Sequence, residues 1–152
     1  MPVEFVSGDL FKDTSLDGLA HGCNCAGAMG KGIATEFRRR FPKMYEEYHR
    51  LCKANEFQLG DVFVWTQSSP VVFNLGTQKT WRTKAELSAI ERSVGEMIRI
   101  AGRTGIGRIG LPRIGAGLGG LEWEEVKALL SNLGAKTSVT LIVYESHVPG
   151  AA

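Results

Sequence analysis

Cysteine is scarce in this sequence, and the three present, Cys23, Cys25 and Cys52, make no recognisable pattern. Their odd number argues against a disulfide framework and fits a reducing compartment. "CNC" has a single intervening residue and no His or Cys cluster elsewhere completes a zinc site, so no metal is expected. Also missing is an apolar run long enough for a signal peptide or a membrane span, and the opening stretch "MPVEFVSGDLF" carries an acid early. A cytoplasmic protein without membrane contact is expected. An excess of one charge is lacking too: 18 Lys and Arg stand against 16 Asp and Glu, a formal charge of +2 that points to no class of partner. The basic runs "RRR", Arg38 to Arg40, and "RTGIGR", Arg103 to Arg108, read as solvated faces, because acids nearly balance them and no aromatic platform accompanies them. His49 and His147 carry no motif.

What remains is the composition of a globular domain, 43 % hydrophobic and 22 % charged over 152 residues, enough for one core-forming unit. Val3 to Val6 and Leu19 to Cys23 read as short strands separated by turn-forming Gly, Asp and Ser. Lys31 to Phe41 has helical spacing at Ile33, Ala34, Phe37 and Phe41; Pro42 interrupts it, and Lys43 to Ala54 is a second helical stretch. Val62 to Thr66 and Val71 to Leu75 flank the turn "QSSP" as a hairpin or adjacent strands. Thr83 with Glu86 suggests a capping box for a helix whose apolar face is Leu87, Ile90, Val94, Met97 and Ile98, ending near Gly102. Arg108 to Leu111 is a buried-strand candidate, Glu122 to Leu133 a helix and Val139 to Tyr144 the last strand. Strands interleaved with crossover helices predict a layered α/β domain with a largely parallel or mixed sheet.

Glycine is what the sequence has in quantity, and it clusters. "LPRIGAGLGGLEWEEV", Leu111 to Val126, places Gly115, Gly117, Gly119 and Gly120 between a buried strand and its crossover helix. Connections there are short and tight, which disfavours a flexible linker. The G-x-G-x-x-G spacing is met, but "PRI" intervenes after the strand and the stretch lies late in the chain, so the context of a dinucleotide fingerprint fails. Two readings stay open: a tight turn needing positive φ, and a phosphate cradle of free backbone N–H groups at a helix start. "HGCNCAGAMGKGIATEF", His21 to Phe37, also runs from a strand through glycines into a helix, with Lys31 able to add a cation. Two such cradles suit a diphosphate.

"SGDLF" after the first strand, "NCAGAMGKGIA" before the first helix, "VFNLGTQ" in a later strand and "LPRIGAGLGGLEW" before the last helix together resemble a macrodomain, the ADP-ribose-binding α/β fold. The resemblance runs nearly end to end. It implies a three-layer α/β/α fold with a central mixed sheet of about six strands, covering residues 1–147, with 148–152 as a short tail. It also implies a monomer that needs no cofactor and whose partner is ADP-ribose or an ADP-ribosylated protein or nucleic acid. The chain is most similar to the branch that removes ADP-ribose from proteins or DNA, or dephosphorylates ADP-ribose 1″-phosphate. By that resemblance Asp9 would accept a hydrogen bond from the adenine amino group with Leu10 beside it, and Tyr144 would offer the adenine an aromatic face. The first loop, from Asn24 through Met29, Gly30, Lys31 and Gly32 to Ile33, would wrap the distal ribose and one phosphate. Gly115, Ala116, Gly117 and Leu118 would hold the diphosphate from the other side, and Thr77 would close the later strand end.

Catalysis is where the chain departs from that pattern. The resemblance implies a lysine just after the "NLxT"-like strand end, but Gln78 stands there and Lys79 follows one residue later; an aspartate expected in the last loop is Gly119. A one-residue shift on a strand turns a side chain to the opposite face, so Lys79 substitutes only if the strand has ended or bulged. The expected route is therefore hydrolysis by a water held by Asn24, the phosphates or loop backbone, with developing charge met by aimed N–H groups. His21 is a second candidate base, although a strand histidine between Ala20 and Gly22 is more often structural. The alternatives are a reader that binds without cleaving, and a phosphatase acting on ADP-ribose 1″-phosphate.

Overall fold

The structure, a computed structural model, describes residues 3–151. Alternation of side chains along the strands builds two cores from one sheet. Ala20, Phe73, Leu75, Ile109, Leu111, Leu141 and Val143 face one way. Their neighbours Leu19, Val72, Ile142 and Tyr144 face the other. The strands are β1 (Val3–Gly8), β2 (Gly18–Asn24), β3 (Val62–Trp65), β4 (Val71–Gln78), β5 (Arg108–Pro112) and β6 (Thr140–His147), and the six lie in the order β1-β6-β5-β2-β4-β3. All neighbours pair in parallel except β3 with β4, so the sheet is mixed.

Helices α1 (Ile33–Arg40) and α2 (Pro42–Lys53) cover one face, contributing Phe37, Met44, Tyr48 and Cys52 to its core. Helices α3 (Leu87–Thr104) and α4 (Trp123–Gly134) cover the other through Ile90, Val94, Met97, Val126 and Leu130. The result is the three-layer α/β/α fold with a six-stranded mixed sheet. None of the described helices is long and apolar enough to cross a membrane. Pro42 does separate α1 from α2, and it does so as the first residue of α2, where its missing N–H would have had no partner.

The capping box expected at Thr83 is not formed. The Thr83 hydroxyl instead donates to the Thr80 carbonyl at 3.1 Å and accepts from the Thr80 N–H at 3.1 Å, closing a local turn, and α3 begins four residues later at Leu87. It also runs past Gly102 and stops where Gly105 takes a left-handed conformation, φ 78°. Beyond β6 the chain returns to β1: the Val148 N–H donates to the Gly8 carbonyl at 2.8 Å and the Gly150 N–H to the Asp9 carboxylate at 2.9 Å.

Candidate functional site

A cavity of about 780 Å³ opens outside the carboxyl ends of β2, β4 and β5, the usual position for ligands of a parallel α/β sheet. Three loops build it: 25–32 between β2 and α1, 79–86 between β4 and α3, and 113–122 between β5 and α4. Its charged lining residues are Lys31, Arg82 and Arg113, with no carboxylate among them. A chamber walled in that way favours an anion.

The first loop is stapled by Asn24. Its Oδ1 accepts from the N–H groups of Ala26 at 3.0 Å and Ala28 at 3.2 Å, and its Nδ2 donates to the Ala28 carbonyl at 2.8 Å. Helix α2 holds the same loop from below. The Tyr48 hydroxyl donates to the Asn24 carbonyl at 2.6 Å, the Tyr45 hydroxyl donates to the Gly27 carbonyl at 3.1 Å, and His49 Nδ1 lies 3.0 Å from that same carbonyl. None of the three belongs to a sequence motif, His49 included. Their signal was present, since Tyr45, Tyr48 and His49 share one helical face at i, i+3 and i+4. Beyond the staple the N–H groups of Gly30, Lys31 and Gly32 make no hydrogen bond within the described residues and approach the start of α1, whose dipole adds positive potential.

The glycines of the second loop serve two different ends. Gly115 has φ +75°, and a Cβ there would lie 2.6 Å from the Ile90 side chain; a Cβ on Gly119 would lie 2.6 Å from the Gly115 carbonyl oxygen. Those two satisfy the tight-turn reading. Gly117 is different: a Cβ would meet nothing within 4 Å, the residue lines the cavity, and the N–H groups of Gly117, Leu118 and Gly119 have no partner among the described residues. That segment is shaped as an anion cradle. The Ala85 N–H donates to the Gly119 carbonyl at 2.8 Å and ties this loop to the one after β4.

Of the residues singled out from sequence, Asn24, Met29, Gly30, Lys31, Gly32, Ile33, Thr77, Gln78, Gly115, Gly117 and Leu118 line the cavity. Ala116 packs against the core beside it. Lys79 is exposed and outside the lining. Strand β4 does carry an irregularity, since Cys23 pairs with Gly76 but Asn24 with Gln78, yet this turns Gln78 rather than Lys79 toward the cavity. The Gln78 amide donates to the carbonyls of Thr80 at 2.8 Å and Thr83 at 2.9 Å, so it shapes the 79–86 loop.

Asp9, Leu10 and Tyr144 stand at the β1–β6 end of the sheet, outside the lined cavity. The Asp9 carboxylate accepts from the N–H groups of Phe11 and Gly150, each at 2.9 Å. Burial works to raise its pKa, but those two donors together with His147 and Arg40 outweigh it and hold the carboxyl below its ordinary value. Leu10 is buried in the core on the α1–α2 face. Tyr144 is only 5 % exposed and its hydroxyl donates to Asp13 at 2.5 Å, so its ring belongs to the core rather than to an open stacking face.

The remaining nucleophile and base candidates are unsuited to catalysis. His21 is fully buried, stacked on Phe37 with centroids 3.8 Å apart, and its Nε2 lies 2.7 Å from Asn74 Oδ1. Because the Asn74 amide nitrogen donates to the Phe63 carbonyl, Oδ1 faces the imidazole and Nε2 is the donor. Burial, opposed by that hydrogen bond, brings the His21 pKa down to about 4. Burial also pushes the Cys25 thiol up to about 12 and raises that of Cys23, which lines the cavity, so neither supplies a thiolate. No group of three or more His, Cys, Asp or Glu among the described residues could hold a metal ion.

Comparison with known proteins gives the same picture from a separate direction. The model of the Macro domain family matches residues 20–130. The DNA ADP-ribosyl glycohydrolase of Mycobacterium tuberculosis is 33 % identical over 147 residues, which are 93 % of this chain and 42 % of that protein. The human ADP-ribose glycohydrolase OARD1 is 30 % identical over 142 residues, 93 % of this chain and 90 % of the relative. Among solved structures the macrodomain of Mycobacterium tuberculosis DarG superposes with a TM-score of 0.86 at 33 % identity, covering 93 % of this chain and 96 % of that one. The chain thus spans less than half the length of the mycobacterial relative.

Proposed function

Because the chain belongs to the Macro domain family, we propose that it binds ADP-ribose in this cavity and hydrolyses an ADP-ribosyl linkage on a protein or nucleic acid. The observation that carries the reading is the pairing of two loops with unpartnered N–H groups, 30–32 and 117–119, across a cavity whose only charged lining residues are cations. A diphosphate is the anion whose two charges match two such cradles. Neighbouring strands lie about 4.8 Å apart, so the ends of β2, β5, β6 and β1 span roughly 14 Å. The ligand runs along that line: distal ribose at the Asn24 loop, diphosphate at Gly117, and adenine toward Asp9. Each carboxylate oxygen of Asp9 can accept a further hydrogen bond beside the one it already holds, which leaves room for an exocyclic amino group.

Water is the nucleophile in this reading. Lys79 lies off the cavity, the Cys23 thiol is held protonated by burial, and His21 is enclosed in the core. Asn24 acts through the loop it staples, since its amide oxygen is already engaged by backbone donors. Water therefore sits against the phosphates or the free N–H groups of 30–32. It adds to the anomeric carbon as the bond to the acceptor breaks, and the departing group takes up a proton. The rival reading, an ADP-ribose reader, is favoured by one observation: Gln78 stands at the strand end with its amide engaged by loop carbonyls. A panel of ADP-ribosylated glutamate, serine, arginine, DNA and the 1″-phosphate separates these. Release of ADP-ribose from a glycosidic or ester substrate supports hydrolysis, release of phosphate from the last supports the phosphatase, and binding without release supports the reader.

A further inference from the structure

The two edges of the sheet differ in character. At β1 the edge is guarded by charge: Glu4 reaches Arg108 at 3.9 Å, and Lys127 Nζ lies 4.6 Å from the Phe5 ring centroid. Strand β3, at the other edge, is the unbroken apolar run Val62 to Trp65, with neither the lysine nor the proline that ordinarily discourages a further strand. The Gly76 N–H donates to the Asp61 carbonyl at 2.9 Å, and bonded pairs alternate along an antiparallel ladder. Phe63 and Trp65 are therefore bonded to β4, while Val62 and Val64 turn their N–H and C=O groups outward, where no partner meets them among the described residues. A groove of about 540 Å³ follows this free edge, bounded by Leu51 of α2 on one side and by Arg92 and Glu96 of α3 on the other. Its charged lining is three carboxylates, Glu56, Asp61 and Glu96, against the single guanidinium of Arg92. Glu96 pairs with Arg99, whereas Glu56 and Asp61 make no ion pair among the described residues.

We propose that β3 is a docking strand, to which an extended segment of a partner protein carrying lysine or arginine adds as a seventh strand. This role is independent of ADP-ribose, since the groove has the opposite sign of charge from the cavity and lies on a different part of the surface. Val62 and Val64 each offer one donor and one acceptor, and main-chain bonds of that kind supply the affinity of strand addition. Successive side chains of the added strand fall on opposite faces. On one face they meet Phe63 and Trp65, half-buried rings set edge to face with centroids 6.5 Å apart. On the other they meet Val62 and Val64 beside α3. Cations at the ends of the segment answer Glu56 and Asp61. A second copy of this chain fits poorly, because its own β3 is flanked by Asp61 and Thr66 and brings a further carboxylate instead of a cation.

The test selects a randomised octapeptide library, displayed on phage, against the whole chain. Selection should enrich β-branched peptides flanked by lysine or arginine. An enriched peptide, synthesised and added to the protein, should slow hydrogen exchange of the Val62 and Val64 amides, read by NMR, and leave those of Phe63 and Trp65 unchanged because β4 already holds them. Val64→Pro removes an outward donor where an edge strand tolerates proline, and it should weaken the peptide about fivefold or more while circular dichroism stays native. Glu56→Lys, a change at an exposed side chain, should weaken the peptide several-fold, and more at low salt than at high. Enrichment of acidic peptides, protection confined to other amides, or a library that yields no binder overturns the proposal. Protection of Val62 and Val64 that grows with protein concentration in the absence of peptide makes a second copy the occupant and overturns it as well.

Discussion

The hydroxyl of Tyr48 donates to the carbonyl oxygen of Asn24 at 2.6 Å, joining the core of α2 to the last residue of β2, from which the loop that walls the cavity departs. Asn24 in turn fixes Ala26 and Ala28, so the loop is held from below and from within. If Asn24 acts by holding the loop, a change that never touches ligand should weaken binding as well. Tyr48→Phe is expected to lower ADP-ribose affinity several-fold and stability by about 1 kcal/mol, the worth of one hydrogen bond. Asn24→Ala should be worse on both counts. Calorimetry and urea unfolding read the two effects, and normal affinity in Tyr48→Phe would make Asn24 a direct ligand contact instead.

Gly117 faces open space, so bulk at this position has a destination that is not the core. Gly117→Glu should leave the melting temperature and circular dichroism nearly unchanged while abolishing ADP-ribose binding, because the carboxylate enters the anion cradle. Gly119→Glu should instead destabilise the fold, since its Cβ meets the Gly115 carbonyl oxygen.

Lys79 is solvent-exposed and apart from the cavity lining. Lys79→Ala is expected to keep most turnover, and borohydride added during turnover should trap no ADP-ribose on this residue. A reduced adduct at Lys79, located by mass spectrometry, would replace the water route by a Schiff-base route.

His21 ties acid stability to the core. Its folded pKa of about 4 lies below the ordinary 6.5, so between those values the unfolded chain takes up a proton that the fold refuses. The stability this confers is complete above pH 6.5 and is lost as pH falls toward 4, a decline of roughly 3 kcal/mol. Asp9 and Asp13, whose carboxyls are held low, add their own loss only at more acidic pH. Urea titrations from pH 7.5 to 4 should show this slope in the wild type and not in His21→Leu. An equal slope in both proteins would assign the acid sensitivity elsewhere.

The glycine-rich loops were legible in the sequence because they sit where strands end and helices begin, and the layered α/β fold followed from hydrophobic periodicity. The division of labour among Gly115, Gly117 and Gly119 was not, since it depends on Ile90 and Ala85, which the chain brings in from another element. Helix α3 starts at Leu87 and not at Thr83 because the Thr83 hydroxyl is taken by Thr80, three residues back, and a local turn competes with a helix cap for the same hydroxyl. The exposed Trp81 of the cavity lining carries no sequence signal for a related reason: it stands beside none of the basic runs, and the cations over its ring come from its neighbour Arg82 and, across the mouth, from Lys31. Tyr144 looked like an open face because it ends a strand, but the register puts it beside Val6 and its hydroxyl on Asp13.

The cavity is read as a site for ADP-ribose, and titration calorimetry with ADP-ribose, AMP and NAD tests that most directly. ADP-ribose should bind well, AMP weakly because it lacks the second cradle's phosphate, and NAD poorly because its nicotinamide must fit against the stapled first loop. Asp9→Ala should weaken ADP-ribose binding by roughly 1–3 kcal/mol through a partner left without its acceptor. Equal affinity for NAD and ADP-ribose, or no heat with ADP-ribose at all, would contradict the account.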